Sequence, residues 1–228
     1  MRGMSQDLLE AVEIETAPSP SRAVIWIHGL GADGYDFVDI VPALGLRDRP
    51  VRFVFPHAPM RPVTINRGMV MRAWYDVSDD RGVRREDETG VRASQAQLEG
   101  LIAREKQRGI PAERIVLAGF SQGGAIALHA GLRHAERLAG ILALSTYLVQ
   151  ADKLPAEAAA VNRDVPIFMA HGTLDPVVRF EWGLASRRAL EANGNPVEWH
   201  QYPIEHSLCL EEVRAIGAWL GKILPPVR

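Results

Sequence analysis

The sequence Gly119-Phe120-Ser121-Gln122-Gly123 closes an apolar run at residues 114–118 and opens an apolar-periodic stretch at residues 124–134. A G-x-S-x-G motif between a strand and a helix is typical of a sharp turn that presents a serine hydroxyl to a base. Its glycines let neighbouring backbone pass close to the serine because they carry no Cβ. The same motif also occurs by chance in glycine-rich loops, but the flanking strand and helix favour the turn. We therefore predict that Ser121 is a nucleophile.

An acid and a base follow this serine along the chain. Asp175 comes directly after the apolar run at residues 165–170, where a strand ends, and His206 lies between the strand-like residues 197–202 and the last predicted helix. Serine, acid, histidine is the chain order of the triad in α/β-hydrolases. We predict that His206 takes the Ser121 proton, while Asp175 fixes the imidazole tautomer and stabilises the imidazolium.

A glycine-containing loop, His28-Gly29-Leu30-Gly31, follows the apolar run at residues 23–27. Its glycines leave the backbone free to turn N–H groups toward a developing oxyanion. In this architecture one donor is the residue after the nucleophile, and the other comes from the loop after an early strand. We predict the N–H groups of Gln122 and Leu30 as these two donors.

Other polar residues near these segments are predicted to have structural roles. Asp33 and Asp36 precede the nucleophile and favour a helix cap. Glu205 is adjacent to the base, a position from which a carboxylate rarely reaches the far imidazole nitrogen. His28 and His171 are expected to hold their loops by hydrogen bonding rather than to transfer protons. The histidines show no H-E-x-x-H spacing, so no metal site is predicted.

Apolar, β-type runs alternate with helix-like stretches along most of the chain. The predicted strands are 23–27, 51–55, 114–118, 138–144, 165–170 and 197–202, and the predicted helices are 35–44, 86–108, 122–134, 180–193 and 209–223. This alternation predicts an α/β fold with a mostly parallel central sheet and helices on both faces. We expect a single domain over residues 1–228, with an N-terminal extension at 1–19 and a core at 20–224.

Five segments together resemble one enzyme family. They are His28-Gly29-Leu30-Gly31, Arg72-Ala73-Trp74-Tyr75-Asp76, Gly119-Phe120-Ser121-Gln122-Gly123-Gly124, His171-Gly172-Thr173-Leu174-Asp175-Pro176-Val177-Val178 and Tyr202-Pro203-Ile204-Glu205-His206. Their order and spacing resemble the phospholipase/carboxylesterase family of α/β-hydrolases, which also contains the acyl-protein thioesterases. The resemblance extends from about residue 20 to about residue 222.

This resemblance implies a nearly lidless serine hydrolase that cleaves carboxylic esters or thioesters of short-to-medium acyl chains through an acyl-enzyme on Ser121. It implies Leu30 and Gln122 as oxyanion donors and no cofactor. Acylated proteins and lysophospholipids are further candidate substrates, and a homodimer is compatible with the family. The candidate substrate-binding residues are Trp74, Met71, Tyr147 and Val177.

Two positions depart from the family pattern. Glu205 stands where many members have a small residue before the histidine, and Thr146 stands in a segment where relatives often read Ser-Gly-Tyr-Leu. We expect Thr146 to alter the acyl pocket. The long connection at residues 55–80 is rich in apolar side chains, which favours either one wall of an acyl-binding groove or a hairpin that packs against its own sheet.

Composition excludes several other classes of protein. A chain of 228 residues with 47% hydrophobic content is long enough for one substantial core. Its net charge of −2 provides no basic surface for nucleic acid. The single cysteine, Cys209, excludes an internal disulfide and favours the cytoplasm. Residues 1–15 lack the apolar core of a signal peptide, and no run approaches the roughly 18 apolar residues that span a bilayer.

Three functions remain open at this point. The first is an esterase or thioesterase that uses Ser121, Asp175 and His206. The second keeps the fold but changes the chemistry, for example to amide hydrolysis, acyl transfer or perhydrolysis. The third is a non-catalytic binding module, which the complete set of triad and oxyanion residues disfavours.

Overall fold

The computed structural model describes residues 8–80 and 83–225. The strands are β1 Ala11–Glu15, β2 Arg22–Ile27, β3 Val51–Pro56, β4 Met60–Val63, β5 Met69–Arg72, β6 Val77–Asp80, β7 Val83–Glu86, β8 Ile115–Phe120, β9 Gly140–Leu144, β10 Ile167–Gly172 and β11 Val197–Tyr202. The α-helices are α1 Glu88–Gln107, α2 Gln122–Arg133, α3 Leu154–Glu157, α4 Phe180–Ala192 and α5 Leu210–Ile223.

Seven of these strands form one sheet in the order β1-β3-β2-β8-β9-β10-β11. The strands from β3 to β11 in that order are all parallel to their neighbours, and β1 pairs antiparallel with β3 at one edge. Strands β8 and β2 lie side by side near the middle. Because parallel strands end at the same edge of a sheet, the loops that follow β2, β8, β10 and β11 meet there. The predicted mostly parallel α/β sheet is confirmed.

Side chains that alternate along the strands pack against helices on both faces of the sheet. On one face, Ile25, Leu117 and Ile141 contact a buried cluster that includes Leu98 of α1 and Ile126 of α2. On the other face, the cluster contains Trp26, Val116 and Phe168 from the sheet and Ile216 and Trp219 from α5. Burial on both faces explains why the central strands read as continuous apolar runs rather than as alternating ones.

The N-terminal segment takes part in the sheet, whereas the sequence indicated an extension outside the core. Strand β1 alternates apolar and acidic residues, and its Val12 and Ile14 pack against the cluster that contains α5. Its Glu15 accepts a hydrogen bond at 3.0 Å from Arg52 of β3, and Arg52 also bonds the buried Glu105 of α1 at 2.8 Å. The sequence does not indicate this pairing, because the arginine partners of Glu13 and Glu15 are distant along the chain. Residues 1–7 lie outside the described residues.

Two further regions differ from the sequence prediction. Residues predicted as a helix at 35–44 form a 3₁₀ helix at Val38–Leu44, with Pro42 inside it and a left-handed Gly45 at its end. Proline lacks the N–H that an α-helix needs there. The long connection after β3 forms two hairpins, β4–β5 and β6–β7. Of the two structures proposed for this connection, an acyl-groove wall or a hairpin, its backbone adopts the hairpin. Met60, Met69 and Val70 of the first hairpin are exposed.

No helix in residues 8–80 and 83–225 is long and apolar enough to cross a membrane.

Glu212 in the first turn of α5 gives the fold a dependence on pH. The residue is buried, and burial raises the pKa of its carboxyl from 4.5 to about 8. The folded chain therefore keeps this proton between pH 5 and 8, where the unfolded chain loses it. We expect the free energy of unfolding to decrease by at most about 1.4 kcal/mol per pH unit in that window. Urea denaturation at pH 5, 6, 7 and 8 measures this slope.

Two variants test whether Glu212 is responsible. Glu212→Gln removes the titrating group, so its stability should vary less between pH 5 and 8 than that of the parent chain. Glu211→Gln is the matched control because Glu211 lies in the same turn but is exposed. An unchanged slope in Glu212→Gln would contradict the assignment.

Candidate active site

Ser121 occupies a strained turn between β8 and α2. Its backbone has φ 54° and ψ −123°, a region that residues with a side chain rarely adopt. Glycines on both sides permit this turn. A Cβ on Gly119 would lie 2.3 Å from the carbonyl carbon of Gly123, and a Cβ on Gly123 would lie 2.2 Å from the carbonyl oxygen of Ile27. The structure thus places Ser121 at the elbow that the motif predicts, at the start of α2.

Asp175 and His206 form a direct hydrogen-bonded pair. The distance between Nδ1 of His206 and Oδ2 of Asp175 is 2.6 Å. The other carboxylate oxygen of Asp175 accepts from the N–H groups of Val177 at 2.8 Å and Val178 at 2.9 Å, and the side chain is fully buried. A carboxylate acceptor at Nδ1 places the ring proton there and leaves Nε2 as the basic nitrogen.

His206 lies beside the residue that precedes the serine. Its imidazole and the Phe120 ring have centroids 4.6 Å apart. No hydrogen bond joins Ser121 Oγ to His206 within the described residues. Catalytic hydrogen bonds are often long without substrate and shorten in the complex. The three predicted residues therefore follow strands that end at the same edge of the sheet, with the acid and the base already paired.

The N–H groups of Leu30 and Gln122 are the two predicted oxyanion donors. Within the described part of the chain, no hydrogen bond is donated by the N–H of Leu30 or of Gln122. The loop of Leu30 is close to the serine, because a Cβ on Gly29 would lie 3.4 Å from Ser121 Cβ. Gln122 is the first residue of α2, where the helix dipole favours negative charge. Both predicted donors are thus available to an anion.

His28 is a neutral imidazole that holds the loop of Leu30, residues 28–31, which we call the oxyanion loop. Its Nδ1 donates to the carbonyl of Gly29 at 2.7 Å, and its Nε2 accepts from the N–H of Ala58 at 3.0 Å. Burial lowers the pKa of His28 to about 4, so the ring is neutral at pH 7. The prediction that His28 braces the loop is confirmed. His171 similarly contacts the loop that carries Asp175, which we call the acid loop, since its Nε2 lies 2.8 Å from the carbonyl oxygen of Val178.

Trp74 stabilises the same loop and does not line an open groove. Its side chain is 0% exposed, and its indole N–H donates to the carbonyl of His28 at 2.9 Å. Its backbone N–H donates to the side-chain oxygen of Gln122 at 2.8 Å, and the amide of Gln122 donates to the carbonyl of Tyr75 at 2.7 Å. The expectation that Trp74 contacts substrate is corrected, because its ring packs entirely inside the protein and has no exposed surface.

The other candidate substrate residues lie at different places. Met71 is half-buried beside the oxyanion loop, 3.7 Å from where a Cβ on Gly31 would stand. Val177 is 53% exposed on the acid loop. Tyr147 is largely buried, and its hydroxyl lies 3.0 Å from that of Tyr75. Met71 therefore lies at the loop of Leu30 and Val177 at the loop of Asp175.

The two departures from the family pattern also have defined positions. Thr146 is 0% exposed, and its hydroxyl donates to the carbonyl of Ser121 at 2.6 Å. Its hydroxyl thus contacts the elbow, and an effect of Thr146 on the acyl pocket stays a prediction. Glu205 is exposed.

A groove of about 400 Å³ opens between β7 and α4. Tyr147 is part of its lining, and the guanidinium of Arg84 lies 4.9 Å from the Tyr147 ring centroid. Its lining also includes Glu86, Leu148, Trp182, Ala185 and Ala189. Sequence analysis missed the contribution of α4, because only the folded chain brings that helix to β7. Among the described residues, no cluster of three or more His, Cys, Asp or Glu side chains could hold a metal ion.

The hydrogen bond from Trp74 to the oxyanion loop can be tested by Trp74→Phe. This change leaves the buried carbonyl of His28 without its donor, so we expect a loss of about 1–3 kcal/mol in the free energy of unfolding. Trp26→Phe is the matched control, because the buried indole N–H of Trp26 has no acceptor within the described residues. Urea denaturation measures both. Equal losses in the two variants would show that the Trp74 hydrogen bond is not responsible.

Known proteins resemble this chain in sequence and in fold. Residues 9–224 match the Phospholipase/Carboxylesterase family. Acyl-protein thioesterase 1 of Neurospora crassa is 44% identical over 96% of this chain and 92% of its own, and that of Yarrowia lipolytica is 39% identical over 92% and 95%. Among solved structures, acyl-protein thioesterase 2 of Zea mays has a TM-score of 0.83 at 28% identity, covering 94% of this chain and 99% of its own. The chain belongs to the phospholipase/carboxylesterase family of hydrolases, with the α/β-hydrolase fold.

Proposed function

We propose that this protein is a serine hydrolase that cleaves carboxylic esters or thioesters of short-to-medium acyl chains through an acyl-enzyme on Ser121. The observation that carries the proposal is the 2.6 Å hydrogen bond between His206 and Asp175 beside a strained serine. The N–H groups of Leu30 and Gln122, which donate to no acceptor among residues 8–80 and 83–225, would meet the remaining requirement, which is stabilisation of an oxyanion.

The first half of the reaction forms the acyl-enzyme. Nε2 of His206 removes the hydroxyl proton of Ser121 as Oγ forms a bond to the substrate carbonyl carbon. The carbonyl π electrons move to oxygen, which accepts hydrogen bonds from the Leu30 and Gln122 N–H groups. When the carbonyl re-forms, the bond to the alcohol or thiol breaks, and His206 gives its proton to that leaving group. Asp175 stabilises the imidazolium throughout.

The second half releases the acid by the same groups. His206 removes a proton from water, whose oxygen attacks the acyl carbon on Ser121. The tetrahedral intermediate places its negative oxygen at the same two N–H groups. Its collapse breaks the bond to Ser121 Oγ, and the proton on His206 returns to that oxygen. The free acid leaves, and the starting enzyme is regenerated.

The groove between β7 and α4 is our candidate for the distal part of the acyl chain. Its volume of about 400 Å³ lies within the range of small-molecule sites, about 300–1,000 Å³. Tyr147 in its lining is adjacent in sequence to Thr146, which bonds the carbonyl of Ser121. Met71 and Val177 would then contact the substrate near the reacting carbonyl, on the oxyanion-loop and acid-loop sides.

Acylated proteins are among the proposed substrates, because two of the most similar relatives carry the name acyl-protein thioesterase 1. Lysophospholipids present the same ester chemistry with a different leaving group. A cytoplasmic location is part of the proposal and is supported by the single cysteine, Cys209, which is free. Turnover of matched oxyesters and thioesters of one acyl group distinguishes the two leaving-group classes.

Ser121→Ala tests the nucleophile. We expect it to abolish both covalent labelling by a fluorophosphonate and ester turnover, because the labelled oxygen is removed. Ser145→Ala is the matched control, since Ser145 also has a positive φ, 43°, directly after the neighbouring strand β9, and it should keep the label. Labelling that persists in Ser121→Ala would refute the mechanism.

Asp175→Asn tests the acid separately. The amide cannot hold the required imidazole tautomer, so kcat should decrease about 10⁴-fold, the effect of the equivalent change in serine proteases, with little change in KM. Steady-state kinetics on a short-chain ester measures both constants. A decrease confined to KM would mean that Asp175 acts in binding rather than in catalysis.

Ala185→Phe tests the groove as an acyl site. A bulky ring on α4 would fill the groove, so kcat/KM should decrease at least about tenfold for the longest acyl chain accepted and stay unchanged for an acetyl ester. Ala192→Phe is the control, because Ala192 lies on the exposed part of α4 outside the lining. Equal effects on long and short chains would exclude the groove as the acyl site.

A further inference from the structure

Thr146 bonds the peptide group that carries one of the two oxyanion donors. Its hydroxyl donates to the carbonyl oxygen of Ser121 at 2.6 Å, and that carbonyl belongs to the same peptide unit as the Gln122 N–H. We infer that Thr146 is a positioning residue, which orients the Ser121–Gln122 peptide and thereby aims the Gln122 N–H at the oxyanion. The inference rests on the proposed function, because it assigns Thr146 a role in that reaction.

Because the peptide group is planar, the hydrogen bond from Thr146 to the Ser121 carbonyl also sets the direction of the Gln122 N–H. A trans peptide holds its C=O and N–H rigidly on opposite sides, so fixing the direction of the oxygen also fixes the direction of the N–H. A hydrogen bond donated to the carbonyl also polarises the amide and strengthens its N–H as a donor. Thr146 therefore acts on Gln122 without touching the substrate.

The elbow needs such a constraint because its backbone is strained. Ser121 has φ 54° and ψ −123°, and ψ is the torsion that sets the plane of the Ser121–Gln122 peptide. Strained conformations persist only where several surrounding contacts hold them. Two contacts hold this carbonyl, one from the N–H of Ala125 at 3.1 Å and one from Thr146.

Close packing fixes the direction of the Thr146 hydroxyl. A Cβ on Gly124 would lie 2.9 Å from both Cβ and Cγ2 of Thr146, so the first turn of α2 lies directly against this side chain. A β-branched side chain has few χ1 choices in such a space. The methyl group thus holds the hydroxyl toward Ser121, and the residue is completely buried.

The carbonyl oxygen of Ser121 keeps a hydrogen bond even without Thr146. The Ser121 oxygen already accepts the helical hydrogen bond from Ala125, so removing the hydroxyl leaves no buried carbonyl without a donor. Thr146→Val preserves the shape of the side chain and deletes only this bond. Thr146→Ser keeps the hydroxyl and deletes the methyl group.

The kinetic test compares these two variants on an acetyl ester, with rates divided by the number of sites that a fluorophosphonate titrates. Complete loss of an oxyanion donor lowers turnover about 10²–10³-fold. Because misorientation loses part of that effect, we expect kcat of Thr146→Val to decrease about tenfold, with KM unchanged within about twofold. Thr146→Ser should restore kcat to within about threefold of the parent chain, because it retains the donor.

A boronic acid gives a readout that a purely structural role would not change. Its adduct with Ser121 is tetrahedral and carries an oxygen at the oxyanion position, so its affinity should weaken in Thr146→Val by about the same factor as kcat. A structural role would instead lower the titrated fraction and the thermal midpoint. It would leave kcat and the boronic acid affinity unchanged for each titrated site. That result would overturn the inference, as would equal losses in the Ser and Val variants.

Failure of the proposed function would look different. In that case the parent chain would not react with the fluorophosphonate, or Ser121→Ala would keep its turnover. A parent chain that labels and turns over, together with a fully active Thr146→Val, would reject the role of Thr146 alone.

Discussion

The contact between the first turn of α2 and the end of β2 is the constraint on which the site depends. Gly123 approaches the carbonyl oxygen of Ile27 so closely that a Cβ would lie 2.2 Å from it. This approach places the nucleophile, the start of a helix and the loop after β2 at one point. The same constraint forces the strained conformation of Ser121, because the chain must reverse from strand to helix within one residue.

Side chains that bond backbone groups hold the loops around this point. His28, Trp74, Gln122 and Thr146 are all buried, and each bonds a backbone N–H or carbonyl of the oxyanion loop, its supporting segment or the elbow. Irregular backbone cannot satisfy its own polar groups as a helix or sheet does, and an unpaired buried group costs about 1–3 kcal/mol. These contacts therefore supply both stability and the orientation of the N–H groups that face the site.

The parts that sequence analysis predicted well are those with a local signal. The strand, turn and helix around Ser121 are encoded by adjacent residues, and the chain order of Asp175 and His206 follows from the α/β-hydrolase pattern. The parts it missed depend on partners distant along the chain. Strand β1 resembled a polar extension because its glutamates meet Arg52 and Arg108 only in the fold. The role of Thr146 likewise depends on a carbonyl 25 residues away.

In the proposed site, backbone groups hold the catalytic residues, whereas side chains at the rim and in the groove would determine substrate specificity. The proposed oxyanion donors are backbone N–H groups, and Asp175 is held by the N–H groups of Val177 and Val178. The Val177 side chain, by contrast, is exposed at the rim, and its replacement would leave the N–H that holds the acid in place. Residues at the rim and in the groove can therefore change with the substrate, while the backbone keeps the catalytic groups fixed. This division lets one fold and one triad act on different acyl chains and leaving groups.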